Sequence, residues 1–521
     1  MAKRRTYAVW LLTLFFTVSV LLAGCGGQTG PSSVKDTLIY ARGGDCRSLD
    51  PAMVDDGESN KVLNQLYEGL LAYKPGSAEL QPALATSWSS NADETEWIFH
   101  LRRNVKFHDG TDFNAQAVKF SIERQMPPND LSEMPYAEFV FGNVKSVRVL
   151  DPYTVAITLK SPNAAFLANL AMGISAPIVS PTAVRKYGTI FTEHPVGTGP
   201  FQFVRWERGQ AVYLKRNALY WGVKPQFSKV VFQVVKENKV RADRLITGEA
   251  DIIDGVNPDE VASIKDQGMM VLMEPGVNIN FLAFYTDKPP FNDPELRKAI
   301  SMAINRDYLV KNLYQGYAVK ANGPLPKNVV GYDKNLKPYE YNPDQAKAIL
   351  KKLGKADFSF TAITYSIPRP YNAINGEKLA QAVQQDLKKI GVTMIIKVYT
   401  WTDYRKAITQ GEGDAGFYGW VGDNGDPDNF LYSLLESHQP RGLNVSRYSN
   451  PAFDVLVQQA RETSDAKERT RLYSQAQLLL LKDAPWVFLS HGVDMYATSP
   501  KVKGFNIHPT GFLDLRPVTK E

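Results

Sequence analysis

At 521 residues, with 44% hydrophobic and 22% charged side chains, the chain is too long for one core; two or three domains are expected and a low-complexity or disordered chain is excluded. The formal charge of +6 falls to +3 once Lys3, Arg4 and Arg5 are set aside, which leaves no case for nucleic acid or an anionic surface as partner. Of the two cysteines, Cys25 is assigned to lipid below, so Cys46 has no partner for an intramolecular disulfide.

The chain opens with the positive triplet Lys3-Arg4-Arg5, an apolar run over residues 7–22, and then Leu22-Ala23-Gly24-Cys25. The run is short for a membrane span and ends in small residues, the pattern of an export signal. Leu-Ala-Gly-Cys resembles the bacterial lipobox, in which the cysteine becomes the lipidated first residue of the mature protein. Residues 1–24 are therefore read as a lipoprotein signal peptide and 25–33 as a flexible tether. Several acyl chains hold a protein on a membrane durably where one would not.

Residues 37–41 are β-rich. Leu63, Leu66 and Leu70 recur at helical spacing over 61–73. Trp97, Phe99 and Leu101 alternate with Ile98, His100 and Arg102, which is strand period, and Asn114 caps a helix over 115–124. Residues 144–150 and 154–159, separated by Asp151-Pro152-Tyr153, form a hairpin signal. Beyond residue 229 strands and helices alternate: a strand over 229–235, a helix over 238–247 closed by Gly248, a strand over 251–253, a helix over 258–267, a strand over 270–273. A second such region follows. Asn292 or Asp293 with Pro294, and Asn342-Pro343, open helices; 377–390 is a helix ended by Gly391; 393–399 is a strand; Thr402 caps 403–410; Asn450-Pro451 opens another helix. A longer helix carries Leu472, Ala476 and Leu479 before Pro485, and 487–490 returns as a strand. This alternation predicts parallel sheets flanked by helices. Chain crossings between the two regions are expected over 274–290 and near 496–500, which is what a hinge needs.

Several stretches resemble the bacterial extracellular solute-binding proteins of family 5, which serve peptide and nickel ABC importers. They are the 80–125 region, Gly197-Thr198-Gly199-Pro200-Phe201, Tyr220-Trp221-Gly222, and Lys288-Pro289-Pro290-Phe291-Asn292-Asp293 leading to Arg297-Lys298-Ala299-Ile300. The resemblance covers the mature chain. Arg369-Pro370-Tyr371 and the acidic loop Gly419-Trp420-Val421-Gly422-Asp423-Asn424-Gly425-Asp426-Pro427-Asp428-Asn429-Phe430 are nearest the dipeptide-binding members. It implies an α/β, two-lobed periplasmic-binding-protein fold of type II with an extra third domain and two crossing hinge strands. Lobe I would comprise 34–72, 198–288 and 499–521, domain II 73–197, and lobe III 289–498. The implied partners are a dipeptide or short peptide and an ABC permease in the cytoplasmic membrane, with a monomer outside that membrane and no cofactor. A relative's other solutes, such as a nickel chelate, haem, glutathione or an oligopeptide, are the alternative; for nickel, His438 and His491 are the candidates.

No catalytic motif competes. The six histidines hold no i, i+4 pair, and there is no Gly-x-Ser-x-Gly elbow, P-loop or Gly-x-Gly-x-x-Gly. Read as a calcium loop from Asn424, the acidic stretch has Asn429 at the turn glycine and Leu435 at the bidentate glutamate, so it does not fit. A zwitterionic dipeptide buried between lobes needs an opposite charge at each end. The resemblance gives the carboxylate to Arg369, whose planar fork suits it, and the ammonium to Asp423. An internal salt bridge for Arg369 and a turn-capping carboxylate at Asp423 are the competing readings. Tyr371 and Trp420 are candidate apolar walls or core, Gly422 offers close backbone approach, and Trp401 aligns loosely. Asp426 and Asp428 read as loop-shaping acceptors, with an exchange of roles with Asp423 left open. Ala373-Ile374-Asn375 stands where relatives often carry proline, which puts the loop's shape in question.

Overall fold

The computed structural model describes residues 36–521; the leader, Cys25 and the tether lie outside the described residues. The frame is a twelve-stranded sheet whose two halves share one thirteen-residue strand, Trp486–Thr498. Its first half pairs with Asn278–Phe284 and Ala318–Lys320. Its second half pairs with Met270–Pro275 and Ile252–Asp254. A second link runs from Met270–Pro275 through Gly276 and Val277 into Asn278–Phe284. This is the expected α/β fold of two lobes joined by two crossing strands.

One handover falls within the expected 274–290, and the other falls earlier than the sequence reading has it. Residues 493–498 already pair with strands of the first lobe, so that crossing lies near 490–493 and not at 496–500. Asn278–Phe284 pairs wholly with strands of the other lobe, although it falls within 198–288. The reason is physical: both strands are buried along nearly their whole length, so no exposed face marks where the chain leaves one lobe for the next.

The crossing is tied by one buried asparagine. Asn278 accepts the Gly492 amide at 2.6 Å and donates to the Gly492 carbonyl at 3.1 Å, while its own carbonyl lies 2.7 Å from Nδ1 of His491. Burial pushes His491 down to about 4, so it serves as a neutral member of this clasp.

A separate four-stranded antiparallel sheet, ordered Ala85–Ser90, Glu96–Leu101, Thr154–Leu159 and Val144–Asp151, has its own core around Phe99, Phe113 and Ile157. Asn114 caps the helix Ala115–Glu123 against it. Two local expectations are corrected. The helix expected over 61–73 is Gly57–Leu66, started by the Asp56 side chain on the Ser59 amide; Leu71–Tyr73 is a strand paired with Leu80–Pro82. Sequence periodicity overran because Leu70 shares the helical spacing while Tyr67 is already extended. Thr400, not Thr402, caps Trp401–Gln410. Gly248 closes its helix with φ 82, a left-handed position that glycine adopts without strain.

Candidate functional site

The strand Ala415–Val421 lies beside Asn278–Phe284 with Asn280 opposite Gly419, and it delivers the acidic loop next to the crossing. Gly419 also brings the second loop in. A Cβ there would lie 2.2 Å from Cδ2 of Tyr371 and 2.6 Å from the Ile279 carbonyl oxygen, so only glycine lets the Tyr371 ring lie on the strand. Arg369 and Asn372 exchange backbone hydrogen bonds of 2.9 and 2.8 Å, closing a tight turn. The Arg369 guanidinium rests 3.9 Å above the centre of the Trp401 ring. Its Nε is buried without a hydrogen-bond partner. Among the described residues no carboxylate approaches it within the 4.0 Å of an ion pair.

The three carboxylates of the acidic loop separate by their partners. Asp426 takes both arms of Arg469 at 3.0 and 2.8 Å and caps the turn Pro427–Asn429. Asp428 has Arg461 at 3.7 Å. Asp423 has no cation. Burial pushes its carboxyl up to about 6, with the Tyr136 hydroxyl, which donates to Oδ2 at 2.6 Å, working in the opposite direction. Two charges of the loop are thus balanced by arginines, and among the described residues the third has no ion-pair partner.

The opposite wall comes from other elements. Tyr136 precedes the short helix Ala137–Phe141, and Tyr73 donates to the Asp423 carbonyl at 3.4 Å. Asn424 donates to Asn169 at 2.8 Å, and Arg405 of the helix Trp401–Gln410 pairs with Asp55 at 3.0 Å. These contacts join the acidic loop and its neighbouring helix to residues far away in the chain. The Tyr418 hydroxyl, raised by burial, is drawn down by Arg405 and Arg369 and raised again by Asp55. The Tyr136 hydroxyl, also raised by burial, feels Asp423, Asp55 and Tyr418. Arg369 thus acts on Tyr418, and Tyr418 and Asp423 both act on Tyr136.

The other expected residues are placed differently. Trp420 is half-buried and its indole N–H is spent on Asn429. The Gly422 amide donates to Val277 at 2.7 Å, and a Cβ on Gly422 would lie 2.3 Å from the Phe430 ring; this glycine is needed for packing and has no amide to offer. Tyr371 is 4% exposed and stands edge-on to Tyr365, so it supports the site from within. Trp401, only loosely aligned, is the residue that carries the guanidinium. Tyr136, Tyr418, Asp55 and Arg405 went unmarked, because each is an ordinary residue in sequence and gains meaning only from contacts across the crevice. Among the described residues no group of three or more His, Cys, Asp or Glu is placed to hold a metal ion. His438 is exposed beside Glu436 and His491 belongs to the clasp.

With this geometry in hand, the chain was compared with known proteins. The model of bacterial extracellular solute-binding proteins, family 5 Middle, matches residues 79–441. A dipeptide-binding protein of Escherichia coli K12 is 35% identical over 500 residues, 91% of this chain and 93% of that one. Heme-binding protein A of Haemophilus influenzae is 34% identical over 507 residues, 92% of each. Among solved structures, the ABC transporter-associated periplasmic binding protein DppA of Helicobacter pylori in complex with peptide STSA superposes with a TM-score of 0.83 at 36% identity, covering 93% of this chain and 98% of that one. The dipeptide binding protein of Pseudoalteromonas sp. SM9913 in complex with Met-Leu gives 0.85 at 27% identity, covering 93% and 100%.

Proposed function

Because the chain belongs to the bacterial extracellular solute-binding proteins of family 5, we propose that it is the receptor of an ABC importer that encloses a dipeptide or short peptide between its lobes. The observation that carries this reading is the pair of unanswered charges. Among the described residues Arg369 has no carboxylate and Asp423 no cation within ion-pair distance, and the reading that both face one crevice is supported by Arg369 acting on Tyr418 while Tyr418 and Asp423 act on Tyr136. A ligand with an ammonium at one end and a carboxylate at the other answers both, and the desolvation each charge already bears becomes a preference for that ligand. Main-chain and terminal groups fix such a ligand while its side chains occupy the remaining space. Closure of the lobes around it then follows as a shift in an open–closed equilibrium. Calorimetry with a dipeptide, its N-acetyl form and its C-terminal amide tests the reading. Both blocked forms are expected to bind far more weakly, and equal affinity for all three would overturn it. Identification by mass spectrometry of the solute that co-purifies with the protein is the independent check.

The pH dependence follows from Asp423. Its folded-state value of about 6 stands above the ordinary 3.8, so in the empty crevice it takes up a proton as pH falls through about 6. Only the ionised form pairs with an ammonium, and the ligand carboxylate stays charged to about pH 3.5. Affinity is therefore expected to be full at about pH 7 and to fall toward pH 4, approaching about tenfold per unit below 6. The empty protein moves the other way in this window, since protonation relieves a buried charge. Asp494, pushed up to about 7 by burial on the crossing strand, titrates just above it. An Asp423→Asn variant isolates the effect: its affinity, already low, is expected to be flat across the window, and a flat wild type would count against the assignment.

For the envelope, the Leu22-Ala23-Gly24-Cys25 pattern supports an anchor on lipidated Cys25, with the receptor held at the outer face of the cytoplasmic membrane or in the periplasmic space. Fatty-acid labelling in cells, expected for the wild type and lost in Cys25→Ser, checks it. Separate apolar cores support a division into lobe I, domain II and lobe III, with the handovers moved to the crossing near 276 and 490–493.

A further inference from the structure

We propose that Asn372 is a positioning residue that holds the Arg369 guanidinium where a ligand carboxylate meets it, an inference that rests on the reading of Arg369 given above. Asn372 is fully buried, and both ends of its amide are engaged. Oδ1 accepts the Tyr314 hydroxyl at 3.0 Å, and Nδ2 donates to the Tyr365 hydroxyl at 3.1 Å. Tyr314 in turn accepts from Nδ2 of Asn280 at 3.0 Å. Asn280 lies on the crossing strand Asn278–Phe284, Tyr365 ends the strand Ser359–Tyr365, and Tyr314 follows the π-helical turn Leu309–Leu313. Four polar side chains from four separate parts of the chain thus form one line, and all four are buried.

That line fixes Arg369 twice. Its main chain is set because Asn372 and Arg369 exchange both backbone hydrogen bonds of the turn. Its side chain is set because the Trp401 ring beneath the guanidinium stands edge-on to Tyr365, 5.6 Å away at 89°. Burying an asparagine amide and two tyrosine hydroxyls where apolar residues would pack is costly unless they are paired; Asn372 is paired at both ends of its amide, while Oδ1 of Asn280, at the far end of the line, lacks a partner. The loop that follows is Ala373-Ile374-Asn375, without a proline to stiffen it, so its rigidity comes from this network.

The test compares wild type, Asn372→Ala and Tyr314→Phe for a dipeptide, its C-terminal amide and its N-acetyl form. Asn372→Ala is expected to weaken the dipeptide by about tenfold, the scale of one displaced charge-assisted hydrogen bond. The preference for free carboxylate over amide should shrink by the same factor, while the preference for free amine over N-acetyl stays as in wild type. Tyr314→Phe keeps the ring and is expected to show the same pattern more weakly. In an Arg369→Ala background Asn372→Ala should add no further loss. If both preferences fall together, or neither moves, the proposal is wrong. Should Asn372→Ala fail to fold, Tyr314→Phe decides. A wild type without any carboxylate-over-amide preference would instead show that Arg369 itself is misassigned, and the proposal falls with it.

Discussion

Replacing Asp423 with asparagine, or Arg369 with alanine, is expected to cost about 2–5 kcal/mol of dipeptide affinity, a factor of about 30 to several thousand. The loss comes from the ligand charge that is left buried and unpaired, more than from the bond that is missing. Burial already pushes the Asp423 carboxyl up, and among the described residues no lysine or arginine pairs with it. The two ends are distinguishable by ligand. An N-acetyl dipeptide carries no ammonium, so Asp423→Asn should bind it no worse than wild type does, and Arg369→Ala should bind the C-terminal amide no worse. Calorimetry or fluorescence titration of the four combinations reads the result. A loss spread evenly over blocked and unblocked ligands would show that the variants damage the crevice and do not remove a partner.

The second large effect is on the fold. Arg469→Ala leaves Asp426 buried with neither arm of its bidentate partner, and breaking a buried pair from one side typically costs about 3–5 kcal/mol. Burial also works against the charge on Arg469, while Asp426 holds it strongly in the charged form. The expected readout is a lower urea midpoint with little change in slope. Because Asp426 caps the turn that shapes the loop, ligand affinity should fall as well, whereas Asp423→Asn is expected to lose affinity without the drop in midpoint. An unchanged midpoint would mean that Asp426 finds water or another donor once Arg469 is gone.

Much of this molecule is written in local signals. Helix starts at Asn114, Asp293, Asn342 and Asn450 all show the asparagine or aspartate that the structure uses as a cap. The strand Thr393–Tyr399 falls on the residues its pattern predicts. The later crossing lies a few residues before the expected 496–500, because burial on both faces erases the alternation that marks a strand's neighbours. Within the site, motif resemblance points to Arg369 and Asp423, but what distinguishes Asp423 from Asp426 and Asp428 is the position of Arg461 and Arg469, more than thirty residues downstream. No local rule carries that. The role expected of Gly422 failed for a similar reason: whether a glycine admits a ligand or a neighbouring ring depends on what the rest of the chain brings to it, here Phe430.

The thirteen-residue strand Trp486–Thr498 has a mechanical corollary. Since it belongs to both halves of the sheet and is hydrogen-bonded along its whole length, the halves cannot swing as bodies on a slack cord. Opening must be taken up as torsion distributed along two stiff ribbons, with the Asn278 clasp as pivot. Such a joint would confine the relative motion of the halves to nearly one degree of freedom.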